Sequence, residues 1–275
     1  MKLTILLVLS IVINLSGFAQ QKSISPYEWQ WAKDGIWTTA ALAGSAGGLL
    51  LIQKKDGISE AELLGQVDDQ DKINFLDRWA VANHSERASK ISDIPFAISF
   101  ATPILLLLDD EVNEHTAQVL GIYLESMATT GAAYAITAGL VDRSRPYTYS
   151  DDVPMARRTS NNGQRSFYSG HVAATATATF FTAKVYQDFN PGSSGIPYVW
   201  AGAAVLPAAV GYFRIKAGQH FLTDVLLGYG LGALAGYYIP ELHKRRDDSK
   251  IGLTALTGRT RFGDTYQALS LNYTF

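Results

Sequence analysis

The sequence contains no cysteine, which excludes disulfide bonds and cysteine-ligated metal sites. Charged residues make up only 17% of the 275 residues, below the roughly 25% of an average soluble domain, whereas hydrophobic residues make up 47%. The formal net charge is −2 and no long basic block is present, which argues against a nucleic-acid partner. This composition is typical of an unusually apolar helical protein or of a membrane protein.

The N-terminus has the pattern of a secretory signal peptide. Residues 1–19 combine a lysine near the start, an apolar stretch over residues 3–15, and small residues at Gly17 and Ala19. We expect export to the periplasm or cell envelope, with cleavage after Ala19. An uncleaved anchor helix is the alternative.

Six apolar segments of helical length follow, in which strand-like alternation is scarce and Ala, Leu and Gly are frequent. They are residues 36–52, 91–108, 118–140, 171–188, 197–213 and 222–239. This pattern predicts an all-α bundle of about six helices within a domain over residues 30–245.

The last thirty residues differ from the rest, because apolar and polar residues alternate on both sides of the turn-like RTRFGD. Residues 246–275 are therefore predicted to form a short C-terminal β-hairpin. Two strands are too few for a membrane barrel, which needs about eight.

The membrane relationship stays open on the sequence alone. Several segments approach the roughly 20 residues that cross a bilayer. If the signal peptide is cleaved and three segments span, however, the arginine-rich loop over residues 141–170 would lie in the cytoplasm. An enzyme that acts on external substrate needs this loop outside the cytoplasm, so the odd number of spans favours a peripheral or periplasmic bundle. A membrane surface or bilayer remains the expected partner.

Two polar stretches interrupt the apolar pattern. The acidic one, with Asp68, Asp69, Asp71 and Asp77, lacks the glycine and terminal glutamate of an EF-hand loop, so we interpret it as a solvated loop rather than a calcium site. The loop over residues 141–170 is rich in arginine and long for a compact domain, which is typical of a functional loop.

One candidate constellation lies in FRIKAGQHFLTDVLLG. If a helix begins near His220, Asp224 four residues later lies on the same face. The carboxylate would then fix the imidazole tautomer and leave the other ring nitrogen free as a nucleophile. Arg214 offers a planar set of donors suited to phosphate oxygens. Taken alone, this His/Asp pair could equally be a surface contact.

A second constellation, Ser169-Gly170-His171, begins the fourth helical segment. The first N–H groups of a helix favour an anion, glycine permits a close approach, and the serine adds a hydroxyl donor. His171 would lie beside that anion, placed to protonate a leaving group. Taken alone, the triplet could be an ordinary helix cap. Arg145-Pro146 ends the preceding segment.

Together these blocks resemble the type 2 phosphatidic acid phosphatase (PAP2) superfamily, which includes bacterial acid phosphatases and vanadium haloperoxidases. The family pattern is K-x6-RP, then PSGH, then SR-x5-H-x3-D. Arg145-Pro146 matches the first block, Ser169-Gly170-His171 the second, and Arg214, His220 and Asp224 the third. The resemblance covers residues 70–240.

The resemblance implies a phosphatase that hydrolyses a phosphomonoester, or a lipid phosphate or pyrophosphate, through a phosphohistidine. His220 would be the nucleophile, Asp224 its orienting partner and His171 the general acid. The phosphoryl oxygens would be held by a group of donors: Arg145, Ser169, Gly170 and Arg214. No metal or other cofactor is implied, because fixed donors supply the charge stabilisation.

Three residues depart from the family pattern: Ala138 stands in place of the lysine, Tyr168 in place of the proline, and Phe213 in place of the serine. The loss of the lysine removes one phosphate donor, for which Arg143 and Arg165 are candidate replacements. It also motivates a different function, that of a catalytically weakened envelope protein that binds anionic lipid. A vanadium haloperoxidase is disfavoured, because that chemistry uses the family lysine.

Overall fold

The computed structural model describes residues 24–245, 251–259 and 265–273. The chain divides into two units, the first ending at His243 and the second beginning at Lys244. The predicted signal peptide and most of the predicted hairpin turn lie outside the described residues.

The first unit is helical, as its sequence pattern predicts. Its α-helices are α1 Trp31–Lys54, α2 Glu60–Asp68, α3 Glu86–Ser99, α4 Thr102–Leu105, α5 Asp110–Asn113, α6 Thr116–Leu140, α7 Met155–Arg158, α8 Gly170–Phe189, α9 Ile196–Lys216 and α10 Leu222–Leu242. Short 3-10 turns cover Gln70–Lys72, Arg78–Ala80, Leu106–Leu108, Pro146–Tyr149 and Asn161–Gln164. The all-α prediction is confirmed.

The structure divides one predicted helical segment, residues 91–108, into shorter helices. Helix α3 ends at Ser99, and α4 begins at Thr102 with Pro103 in its first turn. Proline has no N–H to donate and disfavours a helical conformation in the residue before it, so a helix is expected to break at this position. The remaining apolar segments each coincide with one continuous helix.

Four helical stretches in the described part of the chain are long and apolar enough to cross a membrane. They are Trp31–Lys54, Glu86–Leu108, Ile196–Lys216 and Leu222–Leu242. Their outer faces expose large apolar side chains, such as Leu50 at 58%, Ile94 at 63% and Val205 at 66%. Apolar faces of this extent are unfavourable in water. They favour a bilayer over the peripheral bundle and make this a membrane-associated protein.

Helix α8 is the central helix of the first unit, and α6, α9 and α10 pack around it. Three glycines of α10, Gly228, Gly232 and Gly236, lie against the α8 backbone. A Cβ added at Gly228 would lie 2.5 Å from the carbonyl oxygen of Ser169. One at Gly236 would lie 2.5 Å from that of Thr177, and one at Gly232 would clash with Ala173. Small residues at this spacing allow two helix backbones to approach closely.

The second unit is a two-stranded antiparallel sheet. Strands β1 Ile251–Arg259 and β2 Thr265–Tyr273 pair in a register that runs from Ile251 opposite Tyr273 to Arg259 opposite Thr265.

The glycine contacts generate a stability prediction. We expect Gly232→Ala to lower the free energy of unfolding by about 1–3 kcal/mol, because the added methyl group meets the α8 backbone. Gly230→Ala is the matched control. It lies in the same helix with nothing within 4 Å of its Cβ position, so the better helix propensity of alanine should stabilise the protein by up to about 1 kcal/mol. Thermal unfolding in detergent measures both, and equal shifts would contradict the close packing.

Candidate active site

The N-terminus of α8 has an uncapped serine. Ser169 occupies the N-cap position with extended backbone, but its side chain makes no capping hydrogen bond. Its Oγ is buried and has no hydrogen-bond partner among the described residues. The hydroxyl and the first N–H groups of the helix are therefore available to an anion, which the helix dipole favours at this end.

Gly170 is required by a close aromatic contact. A Cβ at this position would lie 2.7 Å from Cε2 of Tyr134, which comes from α6. Tyr134 lies one helical turn before Ala138 and therefore on the same face of α6. The predicted role of Gly170, a close approach at the helix N-terminus, thus has a specific steric reason.

His171 lies between α8 and α3. Its ring packs against Phe96 with centroids 4.2 Å apart, and Nε2 lies 3.6 Å from Oδ1 of Asp93. Burial, together with the positive charges of Arg214 and Arg145, lowers the pKa of His171 to about 3. The imidazole is therefore neutral at pH 7 in the unliganded protein.

His220 is almost fully buried, and its tautomer is fixed by a backbone acceptor. Its Nδ1 lies 2.6 Å from the carbonyl oxygen of Ser166, which can only accept, so Nδ1 carries the proton. Burial, followed by Arg145 and Arg214, holds the pKa of His220 well below its usual value. The ring is neutral, and Nε2 keeps its lone pair.

The predicted contact between His220 and Asp224 is wrong. Helix α10 begins at Leu222, so His220 precedes the helix and the i,i+4 geometry does not apply. The Asp224 carboxylate instead accepts hydrogen bonds from the Ser166 hydroxyl at 2.6 Å and the Phe221 N–H at 3.0 Å. Asp224 therefore reaches His220 through Ser166, whose carbonyl holds the imidazole.

Arg143 binds the second oxygen of the Asp224 carboxylate. It donates to the Asp224 carboxylate and, at 2.7 Å, to Asp77. Asp77 is fully buried and also accepts from the Thr223 hydroxyl at 2.7 Å. The sequence pattern predicts a solvated loop around Asp77, and for this residue the prediction is wrong. Its carboxylate is a structural partner of Arg143, whose charge is neutralised by two carboxylates.

Two further arginines supply the positive charge of the site. Arg145 is buried and donates to Gln219, while Arg214 has a buried Nε with no hydrogen-bond partner in the described part of the chain. Burial is the main cause that lowers the pKa of Arg145 to about 10, with the nearby charges of Arg214 and Arg165 acting in the same direction. Arg145 remains charged at neutral pH, so the guanidinium groups concentrate positive charge near both histidines.

Of the two candidate replacements for the family lysine, the contacts favour Arg165. Its Nε is buried and has no partner within the described residues, and its charge acts on Arg145. Arg143 is held by its carboxylate partners. Ala138 is fully buried, and the nearby Lys55 donates to backbone carbonyls at the end of α6, including that of Ala138 at 3.0 Å.

The long polar loop is ordered by backbone pairing. Arg143 N donates to Gln164 O at 3.1 Å, and Ser166 N donates to Arg143 O at 2.9 Å. Arg145 N donates to Gly163 O at 2.8 Å. Residues 143–145 therefore lie alongside residues 163–166, which brings the Arg-Pro block next to the Ser-Gly-His block.

The turn before His220 depends on Gly218, which has a φ of +66°. A side chain there would be strained and would collide with the carbonyl of Asn83. This glycine ends α9 and directs Gln219 and His220 back toward the arginines.

Part of this chain is similar to a known protein family. A protein-family model described as the PAP2 superfamily matches residues 119–248. This region belongs to the PAP2 superfamily. It contains most of α6, all of α8, α9 and α10, and the loop that joins α6 to α8.

The chain is also similar to a curated protein and to a solved structure. A lipid A 4'-phosphatase of Porphyromonas gingivalis is 26% identical over 103 residues, which are 37% of this chain and 40% of that protein. The chain therefore aligns with less than half the length of this relative. A crystal structure of a transmembrane PAP2-type phosphatidylglycerolphosphate phosphatase from Bacillus subtilis covers 78% of this chain and 96% of its own, at 20% identity and a TM-score of 0.43.

Several residues of the candidate site lie outside the motifs that the sequence indicates. Asp93 and Phe96 contact His171, and Ser166 links Asp224 to His220. The sequence does mark Asp93, because a carboxylate within an apolar helical segment is energetically costly and therefore indicates a functional residue. Ser166 holds the His220 imidazole through its backbone carbonyl. Every residue has this group, so the residue type at position 166 does not indicate the contact.

The unpartnered Nε of Arg165 generates a binding prediction. We expect Arg165→Gln to weaken orthophosphate binding roughly 10- to 100-fold, because a charged hydrogen bond contributes about 1.5–3 kcal/mol. Arg157→Gln is the control, since Arg157 is paired with Glu86 at the surface. Isothermal titration of the purified protein measures both affinities. Equal affinity of the two variants would exclude Arg165 from the anion site.

Proposed function

We propose that the protein is a phosphatase that hydrolyses a lipid phosphomonoester through a phosphohistidine at His220. The observation that carries the proposal is the state of this buried imidazole. Its Nδ1–H is held by the Ser166 carbonyl, and its pKa is depressed, so Nε2 keeps a lone pair beside two arginine charges. A neutral, oriented imidazole next to an anion site is suited to nucleophilic attack on phosphorus.

In the first step, Nε2 of His220 attacks phosphorus, and the bond from phosphorus to the ester oxygen breaks. The proton carried by the substrate monoanion passes through His171 to the leaving oxygen, and His171 is neutral again after the transfer. In the second step, His171 takes a proton from water, the resulting hydroxide attacks phosphorus, and the bond to Nε2 breaks. His171 passes this proton to the phosphate, inorganic phosphate leaves as the monoanion, and both histidines are neutral again.

Charge develops on the non-bridging phosphoryl oxygens, and the site supplies fixed donors for it. These are the guanidinium groups of Arg145 and Arg214, the Ser169 hydroxyl and the first amides of α8, with Arg165 in place of the lysine. Donors that are already oriented stabilise a transition state without further reorganisation.

A lipid substrate is supported by the position of α3. Asp93 and Phe96, which contact His171, lie in this candidate membrane span, and the neighbouring Ile94 exposes 63% of its surface. A headgroup at the bilayer surface would therefore reach the site beside α3. The lipid A 4'-phosphatase relative supports the same substrate class. Because residues 1–19 have the pattern of a secretory signal peptide, we propose that the protein is exported and that this bilayer is a membrane of the cell envelope.

The test uses full-length protein in detergent, assayed with p-nitrophenyl phosphate and with a lipid phosphomonoester. We expect turnover that persists through a brief EDTA treatment, is inhibited by vanadate, and falls at least about 10³-fold in His220→Ala. Rapid quenching with labelled substrate should trap an acid-labile phosphoramidate in the wild type and none in the variant.

Other outcomes would replace this proposal. Phosphate or lipid binding without turnover would indicate the lipid-binding envelope protein that Ala138 suggests. Peroxide-dependent oxidation of halide after addition of vanadate would indicate a haloperoxidase.

The depressed pKa of His171 predicts a pH dependence. With a pKa of about 3, free His171 is unprotonated at pH 5–8 and does not itself bring the leaving-group proton. The monoanion of the substrate, whose second pKa is about 6, brings it instead. We therefore expect kcat/KM for an alkyl phosphate to fall roughly tenfold per pH unit above ~6. The p-nitrophenyl ester should depend less on pH, because its leaving group needs no proton. A kcat/KM for the alkyl ester that rises between pH 5 and pH 8 would contradict this assignment.

A further inference from the structure

A second cluster of ionisable side chains lies at the opposite end of α10 from His220. Asp34 near the start of α1, Glu125 in the middle of α6 and His243 just after α10 are all buried. One ligand atom from each residue lies within 4.8 Å of the others. Because α10 has 21 residues, this cluster is about 30 Å along the helix from the active site.

The imidazole of His243 is held with one nitrogen directed at the two carboxylates. Its Nδ1 lies 2.8 Å from the carbonyl of Ile239, which can only accept, so Nδ1 carries a proton. Its Nε2 lies 3.4 Å from Oδ2 of Asp34 and 3.3 Å from Oε2 of Glu125. Neither Nε2 nor this glutamate oxygen has a hydrogen-bond partner among the described residues.

These separations fit a metal ion better than a shared proton. Charge-assisted N–H···O bonds are typically about 2.7–2.9 Å long. Two ligands of a tetrahedral zinc ion, with bonds of about 2.0–2.1 Å, lie roughly 3.3–3.4 Å apart. The observed distances from Nε2 match the second case.

The charge balance leads to the same conclusion. Two buried carboxylates with a neutral imidazole carry −2, and protonation of the ring would still leave −1 in a buried site. A divalent cation makes the group neutral, which removes the large cost of an uncompensated buried charge.

The surroundings of the cluster resemble those of bound metals. The Nδ1–H of a ligating histidine commonly donates to a backbone carbonyl, as that of His243 does. Oδ2 of Asp34 also accepts the Gln30 N–H at 2.6 Å, and Trp29 stacks on the His243 ring at 5.6 Å between centroids. These contacts orient the ligands before an ion binds.

We propose that Asp34, Glu125 and His243 form a structural site for a divalent transition-metal ion of the Zn²⁺ type. One imidazole nitrogen and two carboxylate oxygens suit zinc better than calcium or magnesium, which prefer all-oxygen sites. The ion would join α1, α6 and the end of α10. This proposal does not depend on the proposed function, because its residues lie outside the catalytic site.

The test measures metal bound to full-length protein in detergent, by elemental analysis after dialysis against Zn²⁺ and by titration with Zn²⁺. We expect one equivalent in the wild type and in His220→Ala, with a Tm several degrees higher than that of the chelated protein. Glu125→Gln and His243→Gln should each weaken Zn²⁺ binding at least about tenfold and lose the Tm increase. X-ray absorption should show one nitrogen and two protein oxygens at bonding distance.

His84→Gln is the matched control, since its imidazole is partly exposed and lies outside the cluster. It should bind Zn²⁺ like the wild type. Helical circular dichroism distinguishes loss of the site from loss of the fold, and Asp34→Asn provides a second, nearly isosteric variant. Wild-type protein without retained Zn²⁺, or folded Glu125→Gln and His243→Gln variants with wild-type affinity, would overturn the proposal.

Discussion

The close approach of α8 and α10 is the constraint on which the arrangement of the candidate site depends. Gly228, Gly232 and Gly236 allow the two backbones to come together, and the Ser169 N–H donates to the carbonyl of Asp224 at 3.1 Å. This contact joins the beginnings of the two helices. His171 and His220, one at each helix start, therefore occupy positions set by backbone packing rather than by flexible side chains.

The electrostatics of the candidate site divide into two regions. Asp77 and Asp224 neutralise Arg143, so this arginine serves as a structural link between the loop and α10. Arg145 and Arg214 act on both histidines with less compensation, since Asp93 lies 3.8 Å from Arg214 and is more than half exposed. The unliganded site therefore carries excess positive charge, and this charge adds to burial in lowering the pKa of both imidazoles. An arriving phosphate would supply the missing negative charge.

The sequence allowed the helices and the main blocks of the candidate site to be predicted, because apolar segment lengths and the short motifs around Arg145, His171 and His220 are local features. The family resemblance joined these motifs into one site. The partner of His220 could not be predicted in this way. The i,i+4 rule needs both residues inside one helix, and the helix start at Leu222 lies two residues too late. Asp77 escaped prediction for a related reason, since only the tertiary fold brings it to Arg143 and Thr223.

Ser166 contacts the two sides of the candidate catalytic machinery with different chemical groups. Its hydroxyl donates to Asp224, whereas its main-chain carbonyl accepts from His220. Every amino acid has that carbonyl, so the tautomer of His220 is encoded by the path of the backbone and not by the identity of residue 166. Side-chain variation at this position can therefore alter the link to the carboxylate, while the imidazole keeps its acceptor as long as the loop keeps its course.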